Sequence, residues 1–244
     1  MKASAIAARG LLLLLGACTG AHRTESPARS PKAEEPSKYV RTDSLGTRTC
    51  FAEDGETWPD LFPRGALALN LGPHLDMSHR SQELLELEQC WCSYKLLALK
   101  EDSLLPLAPD SEVYRFTWMP SFEPYRLIRV EHRGSVYSLH VKEEGNSKGA
   151  LAVDRRILLT PTQWQALQHR LEQARFWTLD RFAPPNSLVY LDGSQWLFEG
   201  GRKGRYRALD IQSPEPDGRA GALYGLGAFM MELAGLPMDR NALY

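Results

Sequence analysis

Long apolar runs are missing from this 244-residue chain. Its one apolar cluster near the start, Gly10 to Ala17, is eight residues long, far short of the roughly 20 needed to cross a bilayer as a helix. A multi-span membrane protein is thereby excluded. Blocks of basic residues with interleaved aromatics are missing too. With 29 Lys and Arg against 30 Asp and Glu, the formal charge is −1, and neither end of the chain carries a nucleic-acid footprint, so nucleic acid is not an expected partner. The six histidines, at positions 22, 74, 79, 132, 140 and 169, form no His-x-His and no His-Glu-x-x-His, so the helical metalloprotease pattern is absent. There is no Gly-x-Ser-x-Gly elbow, no Ser-x-x-Lys pair and no Walker-type loop, which removes the common signatures of serine acyl enzymes and nucleotide binding. No cofactor is expected.

The start of the chain is informative. Lys2 and Arg9 make a positive n-region, Leu11 to Leu15 a short apolar run, and Leu15-Gly16-Ala17-Cys18 follows, an arrangement of targeting type. It resembles a bacterial lipoprotein signal peptide with its lipobox. The resemblance implies cleavage of residues 1–17, acylation of Cys18 and a mature protein held to the membrane by its lipid. Several acyl chains at about 0.8 kcal/mol per buried methylene give stable anchoring. Thr19 follows the cysteine where inner-membrane lipoproteins of the enterobacterial pattern carry Asp, so the expected location is the outer membrane, facing the periplasm. Cleavage removes two cations and no acid, leaving the mature chain more acidic by two charges.

Residues 18–49 read as the lipidated cysteine and a disordered tether. From Thr19 to Ser44 there are Pro27, Pro31 and Pro36, mixed charges and almost no large apolar side chains, too little to offset the entropy of ordering. The globular part is expected over 50–244. Leu84, Leu87, Trp91, Tyr94 and Ala98 fall on one stripe at helical spacing, so Ser81 to Leu99 is expected as a helix with that stripe inward. Beyond Pro106 and Pro109 the period becomes alternating: Tyr114, Phe116 and Trp118 share one strand face, and Leu127 to His132 and Val136 to Val141 form a hairpin burying Ile128, Val130, Tyr137, Leu139 and Val141. A short strand is expected at Ile157 to Leu159. Thr160-Pro161-Thr162-Gln163 then signals a capped helix start, and the helix buries Trp164, Leu167 and Leu171. Asp192-Gly193 is read as a hairpin turn between Leu188–Leu191 and Ser194–Glu199, and Gly200 to Gly204 as the turn into Arg205 to Ile211. Ala220 to Ala234 closes the series as a helix, its Gly221-x-x-x-Gly225 spacing read as close packing on the sheet. The expected fold is a single α+β domain, a mainly antiparallel sheet of six to seven strands with packed helices.

Tyr114-Arg115-Phe116-Thr117-Trp118, Arg129-Val130-Glu131, the Leu159-Thr160-x-x-Gln163-Trp164 helix start, Phe176-Trp177, Asp192-Gly193-x-x-Trp196-x-x-Glu199-Gly200, Tyr206 and Ser213-Pro214 together resemble the pattern of an uncharacterised family of bacterial proteins, often lipoproteins. The resemblance covers roughly Glu88 to Leu236. It implies one domain and supplies no activity and no catalytic residues.

Few residues are candidates for a site. Arg129, Glu131, Ser138 and His140 share the non-core side of the hairpin, a polar surface able to bind a partner. Asp192 and Glu199 are seven apart and face opposite sides of an extended strand, which disfavours paired acid/base work. His74, Asp76 and His79 read as a solvated loop, and His132 as a packing histidine. Most of the six tryptophans are expected in the core.

Lipidation of Cys18 leaves Cys50, Cys90 and Cys92, an odd number in an oxidising compartment. On a helix Cys90 and Cys92 stand about 200° apart, so they neither pair nor share a metal. A Cys50–Cys90 disulfide is expected, with Cys92 as the alternative partner and three reduced thiols as the other possibility. No metal site is expected.

These readings converge on a membrane-anchored, non-enzymatic envelope protein that binds another envelope protein or cell-wall component. A cell-wall or peptide hydrolase drawing on His140, Glu131 or Ser138 is the second reading. An immunity or inhibitor lipoprotein is the third.

Overall fold

The computed structural model describes residues 38–67, 79–147, 149–179, 193–218 and 220–236. Cys18, most of the segment read as a tether, His74, Asp76 and the Leu188–Asp192 stretch lie outside them. The described residues form an α+β domain with two antiparallel sheets. β1 (Val40–Thr42), β2 (Arg48–Phe51) and β3 (Thr57–Pro59) make a small sheet that precedes α1 (His79–Ala98). The main sheet contains β4 (Ser111–Pro120), β5 (Arg126–Arg133), β6 (Val136–Glu144), β7 (Leu151–Leu158), β8 (Ser194–Arg202) and β9 (Arg205–Gln212), in the order β7-β6-β5-β4-β8-β9. α2 (Pro161–Gln173) and α3 (Gly221–Leu233) complete it.

One face of the main sheet is built from the alternation visible in the sequence. Phe116 stands opposite Ile128 and Phe198, Val130 opposite Leu139, and Trp196 opposite Ile211, so one parity of each strand points to the same side. α2 and α3 cover that side with Trp164, Leu167, Leu171, Leu223, Leu226 and Met230. The start of α2 is a complete capping box: the Thr160 hydroxyl accepts from the Gln163 backbone N–H, and the Gln163 side-chain Oε1 accepts from the Thr160 backbone N–H. Tyr137 is partly buried at the margin of this core, and His132 stacks on its ring at 4.5 Å. Close approach of α3 to the sheet occurs at Gly227, where a Cβ would stand 2.5 Å from the Trp196 ring, and not at Gly221 or Gly225.

The other face is half apolar and half polar. Met119, Leu127, Leu197 and Ala208 meet Cys92 and Leu96 of α1 and Leu99 just beyond it, together with Leu61, Phe62 and Leu67. With helices on both sides, β4 is buried from Val113 through Pro120. α1 therefore turns inward a different stripe from the one its spacing suggested. Leu85, Cys92, Leu96 and Leu99 are buried, while Leu84, Leu87 and Trp91 are exposed. The helix is apolar on both sides, and periodicity alone does not say which one the sheet takes.

What selects the side is the small sheet. Cys50 of β2 is bonded to Cys90 of α1 across 40 residues. Trp58 Nε1 donates to the Cys90 carbonyl at 2.9 Å, and the Leu61 N–H donates to Ser93 Oγ at 2.9 Å. Asp60 accepts from Arg48 Nε at 2.8 Å and from Gln89 at 3.4 Å. Order begins earlier than the position-50 boundary, since Val40 pairs with Cys50; a three-residue strand with a single buried apolar side chain leaves no alternation to read.

Two further boundaries differ from expectation. β7 is longer than the short strand expected, because as an edge strand it alternates weakly, with Asp154, Arg155 and Arg156 exposed in succession. Gly200 and Gly201 belong to β8 and not to a turn, which is confined to Lys203-Gly204. A Cβ on Gly200 would meet the Phe176 ring at 2.6 Å, and one on Gly201 would meet Leu107 at 2.5 Å. Gly193 has φ +132°, a positive value of the kind the expected Asp192-Gly193 turn asks of it, while Asp192 lies outside the described residues.

Candidate functional site

The polar half of the sheet face is a ladder. Glu199, Arg115, Arg129, His140 and Arg156 stand directly opposite one another on β8, β4, β5, β6 and β7. All five share the parity that points away from the α2/α3 core. Beyond the end of α1 the chain turns through Lys100, with φ 53°, and lays Glu101 over the row. The Glu101 carboxylate meets Arg115 Nη1 at 3.1 Å, Arg129 Nη1 at 3.3 Å and Lys142 Nζ at 2.6 Å. Arg115 Nε donates to Glu199 Oε2 at 2.7 Å, and its Nη1 also donates to the Asp102 carbonyl at 2.8 Å. Tyr206 Oη donates to the other Glu199 oxygen at 2.8 Å.

Glu101, Arg115, Lys142 and Glu199 are all buried. Burial raises the Glu101 carboxyl, but Arg115, Arg129 and Lys142 outweigh it and hold its pKa below the ordinary glutamate range. Burial and the neighbouring Glu199 carboxylate push the Tyr206 phenol up. Such a network is costly to break, because removal of one partner strands charge out of water.

Arg129, Glu131, Ser138 and His140 do lie on one face, with Arg129 opposite His140 and Glu131 opposite Ser138. Their chemistry is already engaged. Arg129 meets Glu131 at 3.3 Å in addition to Glu101. The His140 ring is held from both sides: Nε2 lies 2.6 Å from Asp154 Oδ1, and Nδ1 lies 3.2 Å from Arg129 Nη2. A guanidinium only donates, so Nδ1 is the acceptor and Nε2 carries the proton directed at Asp154. Neither ring nitrogen is left for a serine, and no hydrogen bond joins Ser138 to His140 or Glu131. The nucleophile–base contact that a serine hydrolase needs is not assembled here. Glu199, the described member of the Asp192–Glu199 pair, is committed to Arg115 and Tyr206.

A second polar cluster lies beneath α1. Gln195 Nε2 donates to Asp210 Oδ2 at 2.6 Å and approaches Cys92 Sγ at 3.7 Å. Burial, and then the adjacent Glu88 carboxyl, raise the Asp210 pKa well above the ordinary aspartate value. Burial likewise raises the Cys92 thiol, with Asp210 adding to it. That environment gives an inert structural thiol rather than a nucleophile. Among the described residues no group of three His, Cys, Asp or Glu side chains is placed to hold a metal.

Among the described residues a cleft of about 440 Å³ lies beside β9, lined by Pro63, Ala66, Trp177, Arg205, Tyr206 and Arg207 among others. Trp177 Nε1 donates to Tyr114 Oη at 3.1 Å, and the guanidinium carbons of Arg202 and Arg205 stand 4.8 and 5.1 Å from its ring centroids. An aromatic wall with cations beside it suits a ligand that has both an apolar body and a negative charge. Of the tryptophans, Trp118, Trp164 and Trp196 are buried, Trp58 and Trp177 are partly so, and Trp91 is exposed.

Sequence reasoning missed Glu101 and Arg115 as members of the polar row. The signal for Arg115 was present, as a cation in the otherwise apolar Tyr114–Trp118 strand. Nothing local marks Glu101, which reaches the row through a loop. Comparison with known proteins finds no matching family model and no matching curated sequence.

Proposed function

We propose that this chain is a lipid-anchored protein of the bacterial cell envelope that acts by binding another envelope protein or a cell-wall component, not by catalysis. The observation that carries the non-catalytic reading is the state of His140, whose two ring nitrogens are taken by Asp154 and Arg129. The alternative of a cell-wall or peptide hydrolase draws no such support, since Ser138 has no base. The Trp177 cleft is the place for a ligand, and an inhibitor or immunity role is the same reading with a toxin as the partner.

The compartment is supported by the Cys50–Cys90 disulfide, a bond that persists in oxidising surroundings. The anchor rests on Leu15-Gly16-Ala17-Cys18, and the outer-membrane assignment on Thr19. The resemblance to an uncharacterised, often lipidated family points the same way. Cys18→Ser should leave an unprocessed precursor and abolish acylation, because both steps need the thiol. Mass spectrometry that finds an unmodified Cys18 in the mature, membrane-associated protein rejects the anchor. Capture of envelope partners from solubilised membranes, lost in a Trp177→Ala variant, tests the cleft.

A further inference from the structure

We propose that the outward face of α1 is a membrane-docking surface, on which the domain rests against the bilayer that holds its lipid. The inference depends on the reading that Cys18 is acylated. Leu84, Leu87 and Trp91 are 48%, 41% and 50% exposed and fall at i, i+3 and i+7 of one helix, hence on one stripe. Single exposed apolar side chains need no explanation, but three in a row make a patch. The core does not use them, because α1 meets the sheet through Cys92 and Leu96, with Leu99 just past its end, and Leu85 is buried as well.

The end of the stripe has the composition of a lipid–water boundary. Trp91 and Tyr94 stack with centroids 6.5 Å apart. Lys95 Nζ stands 4.2 Å from the Trp91 ring centroid and donates to Tyr125 Oη at 2.5 Å. Tryptophan and tyrosine settle at headgroup level, and a lysine lays its stem on apolar surface while keeping its charge in water. Two carboxylates of the helix turn elsewhere: Glu86 pairs with Arg48, and Glu88 interacts with Asp210.

The attachment point singles out a bilayer as the occupant. Twenty residues separate Cys18 from Tyr39, and the chain enters the fold where Tyr39 and Val40 pack on Cys50 and Cys90. Cys90 is the residue before Trp91, and the disulfide fixes the entry point to α1. The leash therefore joins the domain beside the apolar stripe. Twenty-one Cα steps of at most about 3.6 Å bound its reach at roughly 75 Å. Within that radius, docking is an intramolecular event, and a patch too weak to hold a free protein on a membrane stays occupied.

The test uses the purified, lipidated full-length protein in vesicles of phosphatidylethanolamine and phosphatidylglycerol, with part of the lipid brominated on its acyl chains. Bromine should quench tryptophan fluorescence. Trp91→Phe should remove about half of that quenching or more, while Trp177→Phe leaves it in place. Leu84→Asp combined with Leu87→Asp should lower it similarly at an unchanged melting temperature, since both side chains are exposed. Equal quenching in the wild type and Trp91→Phe overturns the proposal. So does a dimer in mild detergent that the double aspartate variant dissociates, which would assign the stripe to a second copy. Mass spectrometry reports acylation separately. If Cys18 proves unmodified the anchor reading fails, and the same quenching, measured with vesicles added to that protein, still decides whether α1 meets lipid.

Discussion

Glu101 and Asp210 are buried carboxylates that their surroundings push in opposite directions. Around Glu101 three cations win over burial, so its folded pKa is depressed. That contribution to stability is present above the unfolded glutamate pKa of about 4.3 and is lost as pH falls through the folded value. Around Asp210, burial and Glu88 act together, so the folded pKa is raised. The folded protein then holds a proton that the unfolded chain releases near pH 4, and stability falls as pH rises from there toward the folded pKa. Asp210→Asn keeps an acceptor for Gln195 and supplies a donor for Glu88. Its stability relative to wild type should rise as pH increases above about 4, until the folded Asp210 ionises, with a slope of up to about 1.4 kcal/mol per pH unit. Urea titrations of both proteins across that range measure it, and a difference independent of pH would show that Asp210 is ionised in the fold.

At the scale of elements, β8 shows how a strand can carry two glycines in its middle. Gly200 lies under the rings of Phe176 and Tyr114, with room for a hydrogen and not for a methyl. Gly200→Ala should lower stability by about 1 to 3 kcal/mol through forced displacement of those rings, read as a lower urea midpoint with an unchanged slope. The same pair of glycines had looked like a turn, because glycine marks turns and close approaches alike. α2 was legible to its last detail, since Thr160, Pro161 and Gln163 act within one turn of chain. α1 was legible as a helix and misleading as to its buried side. Two apolar stripes compete on it, and the choice is made by Cys90, Ser93 and Trp58, contacts some 30 to 40 residues apart in sequence.

For the molecule as a whole, the Cys50–Cys90 bond ties the small sheet to α1. Closing a loop of 40 residues should stabilise by about 4 kcal/mol in the chain-entropy model. Reduction should therefore lower the denaturation midpoint, and Cys50→Ala should reproduce the effect without reductant. Cys92 is unpaired and buried, so peptide mapping of unreduced, denatured protein should find one free thiol among Cys50, Cys90 and Cys92. Three would reject the bridge.

The sequence by itself determined the periodic parts: the helices, the core parity of β4, β5 and β6, the capped start of α2, and that Cys90 and Cys92 cannot act together. These follow from spacings of two to four residues, which backbone geometry converts directly into faces. It also brought Arg129, Glu131, Ser138 and His140 to one surface. Only the tertiary structure decided that this surface is largely spent on internal charge pairing, because Glu101, Asp154 and Glu199 arrive from a loop and two other strands. It likewise decided which side of α1 is left in water. Both outcomes depend on which of several compatible surfaces meet, and that is set by the whole packing and by charge satisfaction in a buried layer, not by any local run of residues.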